Sequence, residues 1–162
     1  MFKKFFVLFV VLSFMPMPIF AESIESPDEI NMQKFAKVKE KVKSIDVSTL
    51  NLWIKNDKKF ILLDVREPAE INAVSIIAKN SMAIPRGVVD FSFHRIVPDK
   101  EATVVVYCSH GNRSAVVTDI INGYGYKNIY NLKDGIFEWI SAGYPIENFY
   151  GSFEMKKFKP KF

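Results

Sequence analysis

The stretch Thr103-Val104-Val105-Val106-Tyr107-Cys108-Ser109-His110-Gly111-Asn112-Arg113-Ser114 decides how this sequence is read. Its first five residues are all β-branched or aromatic, the composition of a strand buried on both faces. Val116, Val117, Ile120 and Ile121 then recur at helical spacing, so a helix is expected from about Ser114 to Gly123. Between strand and helix lies a short polar loop holding the chain's one cysteine.

Working outward, the same alternation continues. A strand is expected over Phe60–Leu63, another over Ser81–Ile84 stopped by Pro85, and a third over Ile129–Leu132. Helices are expected after Ser48, over Val88–Ile96, and around Ile136, Phe137 and Ile140, the last closed by Gly143 with Pro145 beyond. Buried strands alternating with helices give an α/β fold, a central parallel sheet with helices on both faces. Upstream, Ser26-Pro27-Asp28-Glu29 has the features of a helix start. Phe35, Val38, Val42 and Ile45 follow as one apolar stripe among lysines. The expected organisation is a leader over 1–21, an amphipathic helical extension over 22–45, one domain over 46–148 and a basic, aperiodic tail over 149–162.

Composition narrows the function classes. At 162 residues and 49% hydrophobic, the chain allows one compact domain with a proper core. One cysteine excludes an internal disulfide, and two histidines, His94 and His110, argue against a cysteine/histidine zinc site. Residues 1–21 have a basic start (Lys3, Lys4), an apolar run from Phe5 to Phe14, and Ala21 at a cleavage point. This reads as a bacterial-type export signal and places the protein in the periplasm or outside the cell; an uncleaved anchor is the alternative. Pro16 and Pro18 interrupt the apolar run, which is too short to span a bilayer, so no stable membrane insertion is expected after cleavage. Without this segment the formal charge falls from +4 to +2, a weak basis for nucleic-acid binding, and none is expected.

The loop is where chemistry concentrates. Cys108 stands at the carboxyl end of a central strand and just before a helix N-terminus, the edge where ligands bind in open α/β sheets. Unpaired helix amides and a neighbouring arginine both favour a thiolate. Gly111 permits a tight loop with its amides turned inward, and Arg113 adds a charge that does not titrate away. His110 is read either as a base or substrate contact, or as a plain loop residue. Packing as a small buried hydrophobe is the competing reading of Cys108.

Three stretches together resemble the single-domain rhodaneses, the thiosulfate sulfurtransferases and their relatives. They are Leu63-Asp64-Val65-Arg66-Glu67-Pro68-Ala69-Glu70, the Cys-x-x-Gly-x-Arg loop Cys108–Arg113, and Asn131-Leu132-Lys133-Asp134-Gly135-Ile136 followed by Trp139 and Gly143-Tyr144-Pro145. The resemblance covers roughly residues 46 to 148. It implies a rhodanese-like fold, no cofactor and no metal. It also implies a double displacement in which Cys108 takes a sulfane sulfur from a small anionic donor such as thiosulfate. The persulfide then passes that sulfur to cyanide or a thiol, including a thiol on a protein. Arg113 and the loop residues Ser109, His110, Gly111, Asn112 and Ser114 would bind and stabilise the anion, with Arg86 at the pocket mouth. Asp64 and Arg66 would tie the region together.

The chain departs from the family pattern before the second strand, with Val74-Ser75-Ile76 for the usual Gly-His-Ile and Asn80 for a glycine. Asparagine tolerates left-handed backbone angles better than most residues. Two other readings compete. One is a sulfur carrier or binding module serving a protein partner. The other is a phosphatase or arsenate reductase on a similar scaffold, whose loop holds five residues between cysteine and arginine, against four here.

The leader reading is tested by N-terminal sequencing of protein expressed from the full sequence in a bacterial host. A start close to Glu22 is expected; Met1 retained in a membrane fraction would overturn it.

Overall fold

A computed structural model describes residues 25–156 and 158–159. The leader read over 1–21 lies outside these residues. The elements run α1 (Pro27–Lys41), β1 (Ser44–Ile45), α2 (Val47–Lys55), β2 (Ile61–Asp64), α3 (Pro68–Ala73), β3 (Ser75–Ile76), β4 (Ser81–Ala83) and α4 (Arg86–Ile96). They continue β5 (Thr103–Tyr107), α5 (Asn112–Gly123), β6 (Asn128–Leu132), α6 (Gly135–Ser141), β7 (Ile146–Asn148) and β8 (Gly151–Phe153).

The expected architecture is present. Five parallel strands form one sheet in the order β1-β6-β5-β2-β4. Parallel neighbours require crossovers, and helices supply them on both faces. The strand period of two sorts each strand's side chains. Val104 and Val106 join Leu63, Val65 and Ile129 against Val89 and Phe93 of α4 and Val117 and Ile121 of α5. Val105 and Tyr107 join Leu62 and Leu132 against Leu50 of α2 and Ile136, Trp139 and Ile140 of α6. Cys108 continues the alternation onto the α4/α5 face.

Four differences from the sequence reading stand out. The sheet begins at β1, two residues before the boundary drawn at 46, pairing Ser44 with Asn131 and Ile45 with Leu132. A second, antiparallel sheet, β3-β7-β8, lies beside the first and carries the buried Ile76 and Ile146. The tail read as aperiodic therefore starts with a strand, and its Phe158 packs against Phe137. Asn80 keeps an ordinary backbone; among the described residues, positive φ outside glycine falls on Asp57 and Asp134.

At the other end, Ser26 caps α1. Its hydroxyl accepts from Glu29 N (3.2 Å), and Glu29 Oε2 accepts from Ser26 N (2.7 Å). No side chain of α1 is buried, and Lys41 bonds Asp119 of α5 at 2.7 Å. No described helix is long and apolar enough to cross a membrane.

Leu62 is fully buried in the central strands, whereas Leu52 is 57% exposed on α2. Leu62→Ala should cost about 2–5 kcal/mol in urea denaturation, and Leu52→Ala about 0.5 kcal/mol or less. Equal effects would show that the sheet does not carry the stability.

Candidate active site

Tyr107 ends β5, and Cys108 follows at the carboxyl edge of the sheet, 1% exposed. The chain then turns through Ser109, His110 and Gly111 into α5, which starts at Asn112, two residues earlier than the pattern suggests. Gly111 makes the turn with φ +79°, a left-handed angle, and a Cβ there would lie 2.9 Å from Asp134 N.

The loop is held from behind. Ile136 N donates to Cys108 O (2.9 Å) and Phe137 N donates to Ser109 O (3.2 Å), so the first turn of α6 takes up both carbonyls. In a trans peptide the N–H points opposite to the C=O. The Ser109 and His110 amides therefore face away from α6. This approach needs two successive left-handed residues, Asp134 (φ +59°) and Gly135 (φ +64°). It also needs the absence of a side chain: a Cβ on Gly135 would stand 2.3 Å from Cys108 O and 2.6 Å from Ser109 O.

Arg113 is not an open cation. Its two terminal nitrogens each donate to Glu70 of α3 at 2.7 Å, a bidentate pair, and one also reaches Ser109 Oγ at 3.0 Å. Ser109 Oγ in turn donates to Glu70 Oε1 at 2.6 Å. The Arg113 hydrogen bonds, joined by that of Ser109, hold the Glu70 carboxyl down at about 2. The Glu70 hydrogen bond likewise raises Arg113 above its ordinary value, and the Cys108 sulfur adds to the same direction.

A second pair positions α3. Arg66 lies against the Asp64 carboxylate, with Nη2–Oδ2 at 2.7 Å and Nε–Oδ1 at 3.0 Å, both side chains buried. Its remaining donors reach Glu70 O (3.2 Å) and Val74 O (2.7 Å), the carbonyls of α3 and its cap. Burial works against the Arg66 charge, but the Asp64 bonds and charge outweigh it and raise the guanidinium above its usual value. Burial, reinforced by Asp64, pushes the neighbouring Tyr107 hydroxyl up. Asp64 and Arg66 thus occupy the tying role the resemblance implied.

The other expected residues scatter in role. Ser114 is fully buried, its hydroxyl 3.4 Å from Cys108 Sγ and 2.6 Å from Asn131 Oδ1. It faces the sulfur from inside the protein. Ser109 is also buried and bonded into the Glu70 cluster. His110 is exposed, its ring edge-on to Phe137 at 4.6 Å. Asn112 is half-buried at the start of α5. Arg86 is exposed at the start of α4 at the same edge of the sheet, its amide donating to Val65 O at 3.2 Å.

Sequence reasoning missed three contributors as individuals. Glu70 lies 43 residues from Arg113, and nothing local announces the pairing. Gly135 reads as part of a signature, not as a space requirement. Asn131 carried a visible signal, a polar residue inside an apolar strand.

The sequence model of the rhodanese-like domain family matches residues 46–142. A sulfurtransferase of Allochromatium vinosum is 30% identical over 105 residues, 65% of this chain and 94% of its own. A putative mitochondrial thiosulfate sulfurtransferase of Schizosaccharomyces pombe is 35% identical over 96 residues, 51% of this chain and 65% of its own. Among solved structures, a rhodanese-related protein of Thermoplasma volcanium is 35% identical with a TM-score of 0.56, matching 65% of this chain and 97% of its own.

Two measurements probe this geometry. Gly135→Ala should cost about 1–2 kcal/mol from its left-handed φ alone, plus the displacement of the Cys108 and Ser109 peptides. Gly143, at φ +75° with open space around it, is the control, since Gly143→Ala carries the φ cost without the clash. Equal losses in urea denaturation would show that the loop yields freely. For Glu70, the carboxyl is depressed in the folded state, so its stabilisation is complete above the unfolded value near 4.5 and fades as pH falls through about 2. Glu70→Gln should be less stable than wild type at neutral pH by about 1 kcal/mol, the pair being roughly one-third exposed and screened. The gap should close on acidification; a gap independent of pH would overturn the ion-pair assignment.

Proposed function

The chain belongs to the rhodanese-like domain family, and on that premise we propose that it is a sulfurtransferase that carries a sulfane sulfur on Cys108. The observation that supports this best is the position of that sulfur. It lies at the carboxyl edge of the sheet beside the start of α5, on a loop whose Cys108 and Ser109 carbonyls are tied back to α6.

In the first half-reaction the Cys108 thiolate attacks the sulfane sulfur of a donor such as thiosulfate. A new S–S bond forms as the donor's S–S bond breaks, and sulfite leaves with the electron pair. In the second, cyanide or a thiol, free or on a protein, attacks the outer sulfur and the thiolate returns. The loop amides turned away from α6 are the groups we assign to the charge on the outer sulfur. Arg113 contributes through the donors that Glu70 leaves free, and its pairing keeps the Glu70 carboxylate from acting as an unbalanced negative charge beside the sulfur. Ser109 and Ser114 hold this machinery instead of contacting the donor, whereas His110 and Asn112 stand where a donor or acceptor arrives. The leader-like residues 1–21 support export as the setting of this activity.

The deciding experiment is intact-protein mass spectrometry. Thiosulfate should add the mass of one sulfur atom and cyanide should remove it; Cys108→Ser should gain nothing. A protein that never gains the atom, or a Cys108→Ser variant that does, overturns the proposal. In steady-state kinetics Arg113→Ala should lose about ten- to a hundredfold in kcat/KM for thiosulfate. The double variant Glu70→Gln/Arg113→Ala should recover part of that loss, because it removes the stranded carboxylate. No recovery would show that Arg113 acts only through its own contact with the donor.

A further inference from the structure

Asn131 is a polar residue near the carboxyl end of β6, 1% exposed, with β5 on one side and β1 on the other. It lies on the same face as Ile129, toward α5. An apolar side chain of similar size would pack there without the cost of burying an amide. What the amide does meet is Ser114 Oγ at 2.6 Å, and that hydroxyl also lies 3.4 Å from Cys108 Sγ. A serine hydroxyl has one proton, and here it has two acceptors.

We propose that Asn131 is a positioning residue for the sulfur chemistry, acting through Ser114 as the second resting place of its hydroxyl proton. The inference rests on Cys108 as the sulfur-carrying nucleophile and adds how its sulfur is served in each state. While the sulfur is a thiol, S–H donates to Ser114 Oγ and the hydroxyl donates to Asn131. When the thiol proton leaves to solvent, the Ser114 hydroxyl turns its own proton to the thiolate. When the thiolate has bonded to a sulfane sulfur, the inner sulfur is neutral and the negative charge sits on the outer atom. The hydroxyl then turns back to Asn131. No proton of Ser114 is lost at any stage, and no oxidant or reductant is consumed beyond the donor and acceptor of the transfer itself.

Among the described residues, the ionisable groups on the Cys108 side of the sheet include Arg113 of α5 and Glu70 of α3, bonded to one another, Asp119 of α5, paired with Lys41, and Tyr126, whose hydroxyl donates to Val97 O; His110 on the loop and Arg86 at the start of α4 are exposed. Asp64 and Arg66 are paired with one another at the end of β2, and Tyr107 lies on the opposite face. The switch is therefore expected to move the profile of Cys108 in a way that depends on Ser114 and Asn131 specifically.

The test is the pH profile of iodoacetamide alkylation on the full chain, where Cys108 is the only thiol. Ser114→Ala removes the donor, so the midpoint should move to higher pH and the rate at neutral pH should fall about tenfold. Asn131→Leu removes the competing acceptor, so the midpoint should move the other way and the neutral rate should rise, by about threefold or more. Ser114→Thr should restore the wild-type profile. Ser114→Ala/Asn131→Leu should match Ser114→Ala, because no proton remains to be shared. Asn131→Val, suited to a parallel strand, is the second variant, with circular dichroism to confirm folding. Midpoints that move in the same direction for Ser114→Ala and Asn131→Leu, or an Asn131 variant without a shift, would overturn the proposal. Loss of folding in both Asn131 variants would overturn it too, since Asn131 would then serve the fold alone. Alkylation requires no sulfur transfer. Failure to load sulfur from thiosulfate would therefore count against the sulfurtransferase reading and leave the hydroxyl switch standing.

Discussion

The site depends on two carbonyl groups being turned away from it. Cys108 O and Ser109 O are tied to the amides of Ile136 and Phe137, and that requirement reaches deep into the fold. It fixes Gly135 as a residue without a side chain and bends Asp134 and Gly135 into left-handed angles. It also requires that α6 not move. Ile136, Trp139 and Ile140 are buried beneath the sheet, and Trp139 Nε1 donates to Pro145 O at 2.9 Å. Apolar packing on one face of the sheet thus fixes the loop whose sulfur sits on the other face.

A second line of support runs through charge. Removing the Arg66 and Asp64 charges from water is costly, and the cost is met by geometry: each nitrogen of the guanidinium finds an oxygen. Because two of those oxygens are carbonyls of α3 and its cap, the pair places α3, and α3 places Glu70. Glu70 then orients Arg113 and Ser109 together. The family signature around Asp64 is in this sense a description of how one short helix is held.

The layout was legible from sequence where physics acts locally. β5 could be read from its run of valines, α5 from its apolar face, and the start of α1 from Ser26, Pro27 and Glu29. The position of Cys108 between strand and helix followed from the same patterns. What escaped were elements too short to show a period, namely β1 and β3 with two residues each, β7 and β8 with three, and the six-residue α3. These form through partners distant in the chain, as Ser75 does with Glu147. The loop residues were legible as a group but not in their roles. That Ser109 and Ser114 face inward while His110 faces outward depends on how α6 and α3 close around the loop.

The pairing of Glu70 with Arg113 has a consequence for how a donor arrives. A lone guanidinium would project its attraction over roughly a Debye length, about 8 Å at physiological ionic strength. A guanidinium and a carboxylate in contact project a dipole, whose influence fades much faster with distance. The oriented amides of the loop are dipoles as well. The Arg113–Glu70 pair therefore has little reach of its own and acts on what has already come into contact. What the guanidinium contributes is direction at hydrogen-bonding range, not attraction from a distance.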